Sequence, residues 1–302
     1  MDYRENDLRV LIEKFPPRYR DALDKIVKEK GGNLEEIRMK AGEKILVYAR
    51  GKEHTVDIIL SQKDIEGILN NILEYSVYAH QEELMNGFVT IPGGHRIGIC
   101  GKAVKSGGII KTIKEVSSLN IRCTKEIIGV SQTLMRHIFD QKRIRSCLIV
   151  SPPKCGKTTL IRDIVRNLSY SGYRVGLVDE RSEIAGMYQG ISQNDLGPRT
   201  DILDGFGKAE GMIMMIRAMS PEVICSDEIG KEDDARAVYE SLCAGISVIT
   251  TIHGNSYQEI RQSKISELIQ DQIFERIFFL SNIPTIGTVK QITDGGGKSI
   301  AY

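Results

Sequence analysis

Apolar positions are spaced in two different ways along the chain. In the first half, short apolar runs are broken by Gly-rich turns. In the second half, strands and helices alternate. PPRYRDALDKIVKEKGG predicts one helix: Pro16 and Pro17 open it, Ala22, Leu23, Ile26 and Val27 form an apolar stripe, and Gly31 and Gly32 close it. ILVYA and VDIIL predict short strands. SQKDIEGILNNILEYSVYAHQEEL predicts a helix opened by Ser61, with Asp64 three residues on as the other half of a near capping box. Over 88–123, alternation interrupted by glycine turns predicts antiparallel strands.

From residue 146 the runs are SCLIV, a helix from Lys157, RVGLVDE, a helix through GMIMMIRAM, EVICSDE, a helix through DDARAVYESLCAG, ISVITTIHG, a further helix, and RIFFLS with TVKQI. This alternation predicts a mostly parallel sheet with helices on its faces. Met212, Met215, Ile216 and Met219 fit a helical stripe and read as core or subunit interface. QKRIRS reads as an interdomain linker and DGGGKSIAY as a frayed tail. A chain of 302 residues exceeds what one core usually supports. The expected organisation is a smaller mixed α+β domain over 1–140 and an α/β, RecA-like P-loop domain over 141–302.

Composition narrows the function classes. There are 41 basic and 40 acidic residues, a near balance that argues against a surface given over to nucleic acid. The chain has no Trp and 6% aromatics, which leaves few platforms for stacked bases. Lys102, Lys105, Lys111 and Lys114 therefore read as a solvated face. The six cysteines form no C-x-x-C pair and read as buried small hydrophobes in a reducing compartment. MDYRENDLRV carries no apolar signal core, and no apolar run approaches the ~20 residues of a membrane helix. A cytoplasmic location follows as the expectation, with any membrane role coming through a partner.

The chemistry is carried by SPPKCGKTTLIRD, which follows the strand CLIV and opens a helix. In this setting backbone amides and a helix N-terminus point at phosphate, and the helix dipole favours its charge. The candidate nucleotide-binding residues are Ser151, Pro152, Pro153, Lys154, Cys155, Gly156, Lys157, Thr158 and Thr159. Gly156 lets the backbone approach, Lys157 reaches the terminal phosphates of ATP, and the Thr158 hydroxyl binds magnesium. Ser151 stands where the pattern G-x-x-x-x-G-K-[ST] has glycine, and Lys154 makes the loop bulkier and more basic.

SPEVICSDE is an apolar strand ending in two carboxylates. Asp227 is the expected magnesium ligand and Glu228 the group that polarises the attacking water. VDERSEIAG ends another strand with Asp179 and Glu180, which face the same crevice if the sheet is parallel. There they are candidates for ordering the magnesium waters. ITTIHG ends a further strand with Thr251 and His253, and His253 is a candidate sensor of the γ-phosphate. Arg181, Arg199 and Arg217 are the nearby cations, and Arg217 is carried forward as a candidate catalytic group.

DERSEIAGMYQG, LGPRTDILDGFGKAEGMIMMIRAMSPEVICSDEIG, TTIHG and the upstream FVTIPGGHRIGICGKAV together resemble the stage III sporulation protein AA family of endospore-forming bacteria. That family is similar in turn to the ATPases of type II and type IV secretion. The resemblance implies Walker A roles for Lys157 and Thr158, and Walker B roles for Asp227 and Glu228. It implies an acidic-box role for Asp179 and Glu180, and a histidine-box role for His253. It further implies a ring-forming ATPase, a homo-hexamer, that powers or gates a channel between mother cell and forespore through a membrane-embedded partner. Two other readings of the residues stay open: a nucleic-acid-dependent ATPase, and a nucleotide-gated ring scaffold with little turnover.

Overall fold

The computed structural model describes residues 11–30, 34–74, 80–85, 87–124, 126–141 and 143–300. The chain divides into two units. The first is 1–125 together with Gly186–Gln193, and the second is 126–185 together with 194–302.

The first unit holds α1 (Pro17–Lys30), β1 (Leu34–Lys40), β2 (Lys44–Ala49), β3 (Lys52–Ile59), α2 (Gln62–Ile72), α3 (Gln81–Met85), β4 (Phe88–Ile91), β5 (His95–Ser106) and β6 (Ile109–Arg122). The strands pair antiparallel in the order β3-β2-β1-β6-β5-β4. One face of this sheet carries the core, where Ile37, Met39, Ile45, Val47, Ile97 and Ile121 are buried. The capping box forms as the sequence predicts: Ser61 Oγ accepts from Asp64 N, and Asp64 Oδ2 accepts from Ser61 N at 2.9 Å. The long helix expected over 61–84 is interrupted. α2 ends at Ile72, α3 begins at Gln81, and residues 75–79 lie outside the described set. β1 was not among the expected strands. Its LEEIRMK buries Leu34, Ile37 and Met39 at uneven spacing, because the pairing with β2 shifts register between Leu34 and Glu36.

The second unit holds α4 (Gln132–Ile138), β7 (Phe139–Asp140), β8 (Arg143–Ile144), β9 (Cys147–Ser151), α5 (Lys157–Tyr170), β10 (Val175–Asp179), β11 (Thr200–Asp204), α6 (Lys208–Met219), β12 (Val223–Glu228), α7 (Glu232–Cys243), β13 (Ser247–His253), α8 (Tyr257–Ile260), α9 (Ser266–Gln270), β14 (Arg276–Ser281), β15 (Thr288–Thr293) and β16 (Ser299–Ile300). One eight-stranded sheet runs β11-β10-β12-β13-β9-β14-β15-β16. It is parallel from β11 to β14, and β15 and β16 add antiparallel strands at one edge. Every residue of β9 and β10 is buried, as strands covered on both faces must be. Four details differ from expectation. The link near 140 is not a free linker: Asp163 on α5 accepts from Gly129 N at 2.9 Å and Ser131 N at 2.8 Å, which ties the start of α4 to the second unit. QKRIRS contributes β8, paired to β7. TDILD is a strand, β11, paired to β10. As far as Ile300 the tail is not frayed, since Asp294 Oδ1 accepts from Gly296 N and Lys298 N and β16 pairs with β15; Ala301 and Tyr302 lie outside the described residues.

Met212 and Met215 of α6 are buried as expected, whereas Met219 is exposed. Cys147, Cys155 and Cys225 are buried, and burial pushes the Cys147 and Cys225 thiols up; Cys100 and Cys243 are exposed. Among the described residues no helix is long and apolar enough to cross a membrane.

Candidate active site

Because β9, β10, β12 and β13 are parallel, their C-terminal ends emerge at one edge of the sheet, where open α/β sheets bind ligands. The register sets side chains against one another there. Ser151 at the end of β9 lies opposite His253 at the end of β13, and Glu228 of β12 lies opposite Thr251. A register shift between Cys225 and Glu228 re-aims the end of β12. Thr250 Oγ1 donates to Asp227 O at 2.8 Å and braces that shift.

The loop from Ser151 to Gly156 turns from β9 into α5. Gly156 caps α5 with φ 86°, the left-handed region that glycine enters without steric cost. Lys154 takes φ 61°, also left-handed. Ser151 is not among the positive-φ positions; it is fully buried and its hydroxyl donates to Pro152 O at 2.7 Å. The backbone conformation at this first position is therefore one any residue adopts, and serine in place of glycine does not distort the loop. Pro153 and Lys154 are exposed, Cys155 is buried, and Pro152, Gly156, Lys157, Thr158 and Thr159 are half-buried. Thr158 and Thr159 fall in the first turn of α5.

Lys157 Nζ lies 3.0 Å from Glu228 Oε2 and 3.5 Å from Ser151 O. Asp227 is mostly buried. Its Oδ1 forms an ion pair with Lys208 Nζ at 3.3 Å, without hydrogen-bond geometry. Burial pushes Asp227 up to about 6, with Lys208 pulling it down and Asp179 and Glu180 adding to the rise. A mostly buried carboxylate at the end of β12, with a threonine hydroxyl at the second position of α5, offers the oxygen ligands that suit a hard cation. Magnesium keeps one or two protein oxygens and takes the rest from phosphate and water. Asp227 and Thr158 are the residues that would hold it. Among the described residues no cluster of three or more His, Cys, Asp or Glu forms a metal cage.

Lys208, not among the residues expected from the sequence, joins the acidic side chains at this edge. It is 8% exposed, opens α6 behind Gly207, and pairs with both Glu180 and Asp227. Burial opposes its charge, but Glu180 and Asp227 outweigh burial and hold the ammonium protonated. Lys208 in turn holds Glu180 below the usual carboxylate range. A signal was present in GFGKAEG: a cation at the first position of a helix opposes the helix dipole and needs acidic partners.

Two expectations are corrected. Asp179 is completely buried and is not free to order magnesium waters. Its Oδ1 accepts from Glu183 N at 3.0 Å, and its Oδ2 from Ile184 N at 2.9 Å and Ala185 N at 2.8 Å. It pins the turn that follows β10. Burial raises it above the usual range, against the pull of those three amides. Arg217 is not brought to the phosphate loop. It sits in the last turn of α6, nine residues and roughly 13 Å of helix beyond Lys208. There it lines a cleft of about 600 Å³ with Glu210, Asp233, Arg236 and Glu240. The Arg199 side chain points to α5, where it donates to Ser169 O at 3.5 Å. His253 is exposed at the end of β13, beside the start of the loop.

The profile of the family described as Sporulation stage III, protein AA matches residues 6–300. Stage III sporulation protein AA of Bacillus subtilis (strain 168) is 37% identical over 298 residues, covering 96% of each chain. Among solved structures, the ATPase DotB of Legionella pneumophila superposes with a TM-score of 0.60 at 16% identity, over 88% of this chain and 76% of that one. The pilus retraction motor PilT with bound ADP superposes with a TM-score of 0.58 at 15% identity, over 84% of this chain and 76% of that one. The chain thus shares the α/β fold of these two structures.

Proposed function

The chain belongs to the family described as Sporulation stage III, protein AA, and on that premise we propose that it is a magnesium-dependent, ATP-hydrolysing motor of the secretion-ATPase type. The observation that carries this reading is the meeting of Lys157 with Glu228 at 3.0 Å, at the end of the strand that also carries the mostly buried carboxylate of Asp227.

The chain's own groups then divide the work. The amides of the loop and the N-terminus of α5 receive the phosphates of ATP. Lys157 leaves Glu228 for the terminal phosphates. That exchange frees the Glu228 carboxylate to accept a proton from the attacking water. Asp227 and the Thr158 hydroxyl would hold magnesium, which would supply charge neutralisation at the phosphates. Lys208 keeps Glu180 in place, and His253 stands where a side chain at the end of β13 reaches the γ-phosphate. Arg217 lies far from this loop in its own chain; in a homo-hexameric ring it is a group for a neighbouring subunit's site. The ring acts in the cytoplasm, at the membrane through a membrane-embedded channel partner between mother cell and forespore, and without nucleic acid.

Lys157→Ala is expected to abolish ATP binding in calorimetry. Glu228→Gln is expected to keep binding and lose turnover by about 10²–10⁴-fold, the usual contribution of a positioned base. Unchanged ATP affinity in the first variant, or wild-type turnover in the second, would overturn the assignment.

A further inference from the structure

Phosphate contacts alone do not account for the binding of a nucleotide, whose base needs an apolar surface. The order of the sheet says on which side of the loop that surface must lie. Asp227, Glu228 and His253 end strands on the β12–β13 flank of β9, so the terminal phosphate points to that flank. The rest of the nucleotide runs the other way, toward β14, which flanks β9 on the opposite side. From β12 to β14 is three strand spacings, roughly 14 Å, comparable with an extended nucleoside triphosphate.

The segment that connects β14 to β15 lies at that place. Ser281 pairs with Thr288, so residues 282–287 form the hairpin loop. The loop touches the phosphate cradle itself: a Cβ placed on Gly156 would come within 3.3 Å of Ile286 Cγ2 and 3.5 Å of Gly287 Cα. It is braced from inside. Ile283 N donates to Ser281 Oγ at 3.0 Å, and Thr288 Oγ1 donates to Thr285 O at 2.7 Å. Yet Ile283 is 75% and Ile286 69% exposed, the two most exposed large apolar side chains among the described residues. Two isoleucines held in water on a braced loop, next to a phosphate cradle, are costly to the free chain and useful to a ligand with an apolar face.

We infer that Ile283 and Ile286 form the platform on which the base of the bound nucleotide rests. The inference builds on the ATPase reading above and extends it to the base. Aliphatic contact grips a purine ring without reading its polar edge, so this platform contributes affinity more than discrimination between ATP and GTP.

The test compares magnesium–ATP with inorganic tripolyphosphate, which has no base, by calorimetry on the full chain. The unaltered chain should bind ATP at least tenfold more tightly than tripolyphosphate. Ile283→Asn/Ile286→Asn should lose about tenfold or more in ATP affinity and keep its tripolyphosphate affinity, which also certifies that the variant is folded. Ile286→Val should stay within about threefold for both ligands. Equal losses for ATP and tripolyphosphate in the double variant would overturn the platform, because the loop would then only support the phosphate cradle. So would tripolyphosphate binding as well as ATP to the unaltered chain, which would leave the phosphate loop standing. Binding of neither ligand by the unaltered chain would overturn the ATPase reading and the platform with it.

Discussion

Replacing Asp227 by asparagine is expected to stabilise the nucleotide-free chain while removing its capacity to hold magnesium. The carboxylate is mostly buried and pushed up to about 6 from the ordinary 3.8. At about 1.4 kcal/mol per pH unit, the ionised form costs the folded state about 3 kcal/mol at pH 8. The sign follows from the raised value. An acid that is harder to ionise when folded costs nothing below pH 3.8, where both states are protonated, and its full penalty is reached above about pH 6. Asparagine has the same shape and no charge, and Lys208 keeps Glu180 as a partner. The gain in Asp227→Asn should therefore be about 3 kcal/mol at pH 8, about half that at pH 5, and close to zero below pH 4. In a thermal melt this is a rise of about 5–10 °C at pH 8. Melting the two proteins side by side at pH 8 and pH 5, without nucleotide, measures it. An asparagine variant that melts at or below the unaltered chain at pH 8, or whose gain does not shrink toward pH 5, would refute the reasoning.

Lys208→Met should cost about 3 kcal/mol in urea unfolding, because it leaves Asp227 and Glu180 without their buried cation. In the Asp227→Asn background Lys208→Met should cost clearly less than it does alone, since both act on one charge network. Gly156→Ala should lose about 1–2 kcal/mol of stability, because φ 86° is a left-handed conformation and the new methyl meets Ile286. It should also lose tripolyphosphate affinity.

How much of this was legible in the sequence depended on whether a feature was local. The turn from CLIV through GKTT into a helix is a contiguous pattern, and so is an apolar strand ending in Asp-Glu. The meeting of Lys157 with Glu228 follows from the two together once the sheet is parallel. Ser151 looked like a defect only while the pattern was read as letters. The glycine conformations fall at Lys154 and Gly156, so position 151 never required one. Asp179 looked like a site residue for the opposite reason: its place at a strand end is legible, but the three amides that consume its oxygens come from the turn after it, and no periodicity announces them. Arg217 is near β12 in sequence, but the length of α6 separates it from the loop in its own chain. Lys208 and the Ile283–Ile286 loop depend on strand order, which pairs β9 with β14 and sets α6 beside β12. Only the completed sheet brings them to the cradle, one behind the acids and the other on the opposite flank. The cradle is thus written in contiguous residues, while the groups that tune its charge and flank its other side are supplied by topology.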